Sequence, residues 1–140
     1  MSPEELQKKI KEGWIRVWMM VEALAISEDA VKSALEKHIE KMEREKNFIV
    51  YKKEFGKVHK VQNPLPNIEE GYSYVVELEC LSKNFERIIH IVMNYGPSAV
   101  EILEPEKIEM DMGEAQGILN AIAEILHRFA ASAGGMLVST

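Results

Sequence analysis

The stretch Trp14-Ile15-Arg16-Val17-Trp18-Met19-Met20-Val21-Glu22-Ala23-Leu24-Ala25 decides how the chain is read. Ile15, Val17, Met19, Val21 and Ala23 form one unbroken apolar series. Trp14, Arg16, Trp18, Met20 and Glu22 form the alternate, amphipathic one. A period of two over this length predicts a strand, with the first series turned to a core. The second series then lies on the opposite sheet face and needs its own explanation.

On the N-terminal side, Ser2-Pro3-Glu4-Glu5 predicts a capped helix start, and Gly13 ends it. Only Leu6 and Ile10 are available there for packing, so this helix is expected as a docked flap. On the C-terminal side, Ser27 caps a helix whose Val31, Ala34, Leu35, His38, Ile39 and Met42 recur at helical spacing. His38 shares the buried phase and reads as a packed, hydrogen-bonded side chain rather than a ligand or base.

Phe48 to Val61 reads as a long, interrupted strand with a bulge at Gly56. Asn63 to Gly71, with Pro64 and Pro66, reads as a loop. Tyr72 to Leu81 is the third strand, with Tyr74, Val76, Leu78 and Cys80 inward and Ser73, Val75, Glu77 and Glu79 outward. Cys80 has no basic partner nearby in sequence and reads as an inert hydrophobe.

Ser82 or Asn84 starts the next helix, with Phe85, Ile88, Ile89, Val92 and Met93 as its stripe; His90 falls off it and is expected exposed. Asn94-Tyr95-Gly96-Pro97 stops this helix. Val100 to Leu103 is a fourth strand, and Pro105 ends its pairing. Asp111-Met112-Gly113-Glu114 reads as a capping box rather than a catalytic carboxylate pair. It opens a helix carrying Ala115, Ile118, Leu119, Ile122, Ile125, Leu126 and Phe129. Gly134 to Val138 reads as a flexible, then apolar, tail that adds a short edge strand or frays.

The order is helix, β-α-β-β-α-β, helix. Right-handed crossovers and a central hairpin reduce it to a ferredoxin-like βαββαβ two-layer α+β sandwich with an added N-terminal helix and a C-terminal helix. Residues 1–140 make one domain: a core over about 14–110, the C-terminal helix over about 113–131 and the tail over 132–140.

The phrase Phe85-x-x-Ile88-Ile89-x-Ile91-Val92-Met93-Asn94-Tyr95-Gly96-Pro97, continuing through Ala99-Val100-Glu101-Ile102-Leu103-Glu104-Pro105, resembles the C-terminal extension (WCX) domain of WYL-type transcriptional regulators. The resemblance is closest over residues 84–107, extends over 58–131 and is topological before that. It implies a ferredoxin-like fold and a role in regulation, ligand sensing or oligomer contact. The sequence departs from the regulators in having no winged helix-turn-helix and no room for their barrel-like ligand domain, so DNA reading is not implied. Nor does the family supply functional residues to carry onto positions here.

Composition narrows the classes further. Of the 140 residues, 46% are hydrophobic and 29% charged, which argues against disorder. No apolar run approaches the ~18 residues of a membrane span, and Met1 to Glu12 is too polar for a secretory signal. One cysteine forms neither an internal bridge nor a zinc knuckle, so a reducing cytoplasm is expected. Much Lys and Glu with few Asn and Gln is a thermophile-like balance. The net charge of −6 is uneven: residues 1–60 hold 13 Lys/Arg against 11 Asp/Glu, and residues 61–140 hold 4 against 12. The acidic half argues against nucleic acid as a partner. The exception is the basic patch of Lys52, Lys53, Lys57 and Lys60, which also suits a solvated strand edge.

No HExxH, CxxC, phosphate-cradling glycine loop or nucleophile elbow occurs, so no cofactor, metal site or catalytic set is assigned. The candidate ligand or partner face consists of Trp14, Arg16, Trp18 and Met20, with Glu77 and Glu79 on the neighbouring strand. Aromatic, Met and Arg side chains are enriched at interfaces. Three covers for this face stay open: the C-terminal helix of the same chain, a second copy in a dimer or higher homo-oligomer, or a ligand or foreign partner. The chain therefore reads as a small cytoplasmic, non-catalytic regulatory, ligand-sensing or assembly domain. The alternatives are an enzyme whose groups converge from distant positions, and a transcription-associated or nucleic-acid-contacting accessory protein.

Overall fold

The computed structural model describes residues 1–134. Its elements are α1 (Pro3–Lys11), β1 (Ile15–Ala25), α2 (Glu28–Glu43), β2 (Phe48–Phe55), β3 (His59–Leu65), β4 (Ile68–Ser82), α3 (Phe85–Tyr95), β5 (Ala99–Glu104) and α4 (Met112–Ser132). The protein is thus a mixed α+β structure with one antiparallel five-stranded sheet and four helices among the described residues.

β1 alternates as its sequence demands. Ile15, Val17, Met19 and Val21 are buried, and the residues between them are half-buried. Its register sets the sheet: β4 pairs along one edge from Ile15↔Ser82 to Ala25↔Tyr72, and β5 pairs along the other. β2 pairs with the outer edge of β4, giving the order β2-β4-β1-β5 with every neighbour antiparallel. α2 and α3 each connect two parallel strands that flank an antiparallel one. α2 buries Val31, Leu35, Ile39 and Met42, and α3 buries Ile88, Ile91 and Tyr95, in one core with Val17, Met19, Val76, Leu78 and Cys80.

The local signals behave as their chemistry requires. Glu5 N–H donates to Ser2 Oγ at 3.2 Å, and Ser2 N–H donates to the Glu5 carboxylate at 2.9 Å, completing the capping box of α1. No residue of α1 is buried, as expected of a docked flap. Gly96 takes the left-handed conformation (φ 58°) that closes α3, where a Cβ is strained. His38 Nε2 lies 2.8 Å from the Tyr95 carbonyl, and its ring meets the Tyr95 ring edge-on, so it is a packed core-rim histidine. His90 is half-buried rather than exposed.

Two expectations need correction, and a third falls largely outside the described residues. Phe48 to Val61 is broken at Gly56 rather than bulged there. β2 and β3 lie end to end along β4, and Gly56 N–H still donates to Val75 O at 2.8 Å. Asn63 to Gly71 is a hairpin rather than a loop. Its two-residue turn is Pro66-Asn67, with Asn67 at φ 68°, and a register shift between Gln62 and Leu65 accommodates Asn63 and Pro64. Pro lacks an N–H, and an edge strand with a register irregularity accommodates it. Gly71 makes the hairpin close: a Cβ there would lie 2.6 Å from Pro64 Cγ and 3.1 Å from Ala25 O. Finally, Ser132 belongs to α4 and Gly134 follows it in a turn; the edge strand or fraying expected of residues 135–140 lies outside the described residues. No helix among the described residues is long and apolar enough to cross a membrane.

Candidate functional site

Side chains opposite the core side of β1 define the second sheet face. Row by row, Ile49, Leu81, Arg16 and Glu104 are register neighbours, followed by Lys52, Glu79, Trp18 and Glu101, and then by Glu54, Glu77, Met20 and Ala99. Arg16, Trp18, Met20, Glu77 and Glu79 therefore share one surface. Trp14 precedes β1; Lys9 Nζ sits 4.5 Å from its ring centroid, a cation–π contact with α1. Leu81 is fully buried beside Arg16, and Trp18 and Met20 are half-buried.

Arg16 organises this face. Its Nε donates to Tyr51 Oη at 2.7 Å, one terminal nitrogen donates to Glu79 at 2.7 Å, and the other reaches Glu104 at 3.5 Å. Tyr51 Oη in turn donates to Glu79 at 3.1 Å. Lys52 Nζ lies 3.4 Å from Glu79 and 3.3 Å from Glu54. A β-bulge between Val50 and Lys52 makes this possible. The extra residue lets Tyr51 and Lys52 both reach the side of Glu79, where strict alternation sends them to opposite faces. Sequence reading missed Tyr51 for this reason and placed Lys52 in a basic patch; Glu104 reaches Arg16 through a separate register shift, between Arg16 and Val17 in the β1–β5 pairing.

The electrostatics are fixed rather than poised. Hydrogen bonds from Arg16 to Tyr51 and then Glu79 raise the arginine pKa further above an already high value, outweighing burial. The Glu79 carboxyl is held below its ordinary range, chiefly by Arg16, with Tyr51 and Lys52 assisting against burial. Burial raises the Tyr51 phenol above its usual value, assisted by Glu79 and opposed by Arg16. A charged arginine, an ionised glutamate and a neutral phenol thus form a binding or structural network with no proton ready to move near neutrality.

A cleft of about 170 Å³ beside the network is lined by Trp18, Lys52, Glu54, Glu77, Leu78 and Glu79. That is below the roughly 300 Å³ at which small-molecule pockets begin. Glu54 and Glu77 are directly opposite in register, a destabilising like-charge pair that Lys52 relieves from one side.

The basic patch does not assemble. Lys52 points to this face, whereas Lys53 pairs with Glu43 of α2 at 3.1 Å. Lys60 pairs with Glu70 at 3.2 Å, and Lys57 is exposed in the break between β2 and β3. Lys52, Lys53 and Lys60 occupy edge strands, where their charges oppose strand-on-strand association. Cys80 is fully buried on the core side, and burial pushes its thiol up to about 12. Among the described residues, no group of His, Cys, Asp and Glu side chains is arranged to hold a metal ion.

α4 does not cover the face of Trp18. Asp111 caps α4 by accepting from Glu114 N–H at 2.8 Å, but the reciprocal half of a capping box is replaced. Glu114 instead accepts from Phe85 N–H at 3.3 Å, at the positive end of α3. Gly117 lies against Glu86, so closely that a Cβ would collide with its carboxylate, and Ala121 is the one buried residue of α4. α4 is thereby tied to α3, in the helical layer.

The sheet from Arg16 onward, the bulge and α2 to α4 lie within residues 16–140, which match the family model described as the MJ0538 family. The chain belongs to the MJ0538 family. No curated protein and no solved structure matches it. The region matched by the MJ0538 family includes Arg16, Tyr51, Glu79 and all of α4, and excludes α1 and Trp14.

Proposed function

We propose that this member of the MJ0538 family is a small, non-catalytic regulatory or ligand-sensing domain that works by self-assembly. In this reading it is built on a ferredoxin-like βαββαβ sandwich, acts in the cytoplasm and is a distant counterpart of the WCX domain. The strand order β2-β4-β1-β5, with two helical crossovers on one face, supports the fold assignment. The sequence phrase from Phe85 to Pro105 supports the regulatory comparison.

The observation that carries the proposal is the placement of α4 on α3. It leaves the half-buried Trp18 and Met20 on the sheet face of Arg16 without cover from α4, and it leaves Met112, Leu119, Leu126 and Phe129 of α4 itself exposed among the described residues. Apolar surface of that extent on a small domain marks an interaction site. The locked Arg16 network and the small cleft beside it favour recognition over catalysis. Ion pairing of Lys52, Lys53 and Lys60 favours a protein partner over a phosphate backbone.

Sedimentation equilibrium of the full chain tests this reading. A dimer or larger closed oligomer is expected at micromolar concentration; a monomer throughout the accessible range overturns it.

A further inference from the structure

We infer that α4 is the assembly element, pairing antiparallel with α4 of a second copy through the seam Met112, Ala115, Leu119, Ile122, Leu126 and Phe129. This deepens the self-assembly reading and rests on it.

The seam follows from spacing. Met112, Leu119 and Leu126 repeat every seven residues, and Ala115, Ile122 and Phe129 repeat three places later, which is the pattern of a helix–helix seam. At about 100° per residue, Leu119 points roughly 160° away from Ala121, the residue buried at α3. The two sides of α4 therefore have different tasks. Met112, Leu119, Leu126 and Phe129 are 85%, 63%, 49% and 72% exposed. Together they present on the order of 400 Å² of apolar surface, about half of what each partner of a stable complex buries.

Among the described residues, α4 outruns the helix that supports it. α4 has 21 residues and α3 has 11, so at ~1.5 Å per residue α4 runs about 15 Å further than its support.

Self-complementarity selects a second copy. An antiparallel two-fold between Leu119 and Ile122 pairs Met112 with Phe129 and Ala115 with Leu126. The Ala115–Leu126 layers then join a large residue to a small one, the central layer joins the equal-sized Leu119 and Ile122, and the helix dipoles oppose. The parallel arrangement stacks Ala115 on Ala115 and Phe129 on Phe129, alternating voids and crowding. One flank of the seam is Gln116, Ala123 and Ala130, and the other is Ile118, Ile125 and Ser132. Within the helix neither carries a charge to repel an identical helix; Asp111 stands at the cap.

The test uses the full chain and two independent readouts. The double variant Leu119→Glu, Leu126→Glu, with unchanged far-ultraviolet circular dichroism, is expected to raise the dimer dissociation constant about 100-fold or more. Separately, Met112→Cys mixed with Phe129→Cys is expected to form an intermolecular disulfide under mild oxidation, while Met112→Cys alone does not. A wild-type dimer that survives the double glutamate variant, or one in which Met112→Cys crosslinks with itself, overturns the helix pairing and leaves self-assembly standing. A wild-type monomer overturns both. The crosslinking arm decides if the glutamate variant fails to fold.

Discussion

The carboxylate of Glu114 accepts a hydrogen bond from the backbone N–H of Phe85 at 3.3 Å, seating the first turn of α4 on the first turn of α3. The contact uses an orphan donor that every helix start leaves open, and a negative charge is favoured there. It directs α4 into the helical layer and away from the opposite sheet face. Glu114→Ala is expected to loosen α4 without unfolding the domain. Amide exchange across residues 112–132 should rise by tenfold or more, while the strands of the sheet keep their protection.

Arg16 and Glu79 hold the open face together, and the contribution depends on pH in a definite direction. The folded pKa of Glu79 is depressed, so its stabilisation is present above the unfolded value of about 4.3 and is lost as pH falls through the lower folded value. Glu79→Gln is expected to cost about 1–2 kcal/mol at pH 7, because Arg16 and Tyr51 lose a charged acceptor in a half-buried setting. Urea denaturation at pH 7 and at pH 3 checks this: the gap to wild type should narrow at the lower pH.

Gly71 and Pro64 form a tight contact at the base of the β3–β4 hairpin. Gly71→Ala is expected to destabilise by about 1–3 kcal/mol, as overpacking against a ring and a backbone oxygen does. Pro64→Ala should recover part of that loss in the double variant and none of it alone. The residual cost then belongs to the Ala25 carbonyl, which cannot yield as a side chain does.

Cys80 is the thiol of a core residue. With its pKa pushed up to about 12 by burial, it forms almost no thiolate at pH 8. Labelling with a chromogenic disulfide should proceed only through opening of the fold, orders of magnitude more slowly than in denaturant. A fast reaction in the native state contradicts this placement.

His38 sits where helix periodicity places it, and its ring nitrogen meets the Tyr95 carbonyl at 2.8 Å. His38→Leu retains volume but strands that carbonyl at the end of α3. A loss of about 1–2 kcal/mol is expected by thermal or chemical denaturation, with little change in the circular dichroism spectrum.

Local physics was legible in the chain because its causes are local. The alternation from Ile15 to Ala23, the caps at Ser2, Ser27 and Asp111, and the stop at Gly96 each depend on neighbours within a few residues. They determine which residues form strands and helices and which stripe of each enters the core. The inward phase of Cys80 and His38 follows from the same periodicities.

Only the tertiary structure decided the rest. A one-residue bulge before Lys52 brings Tyr51 to Arg16, because register is a property of two paired strands and not of one. Glu114 satisfies its own helix start in the sequence pattern but bonds Phe85 in the fold, 29 residues away, since a better donor is presented there. The apolar arc of α4 was visible from the outset as a helical stripe. How much of it α3 covers, and how much remains exposed, is settled by the relative lengths of the two helices and the side on which they meet.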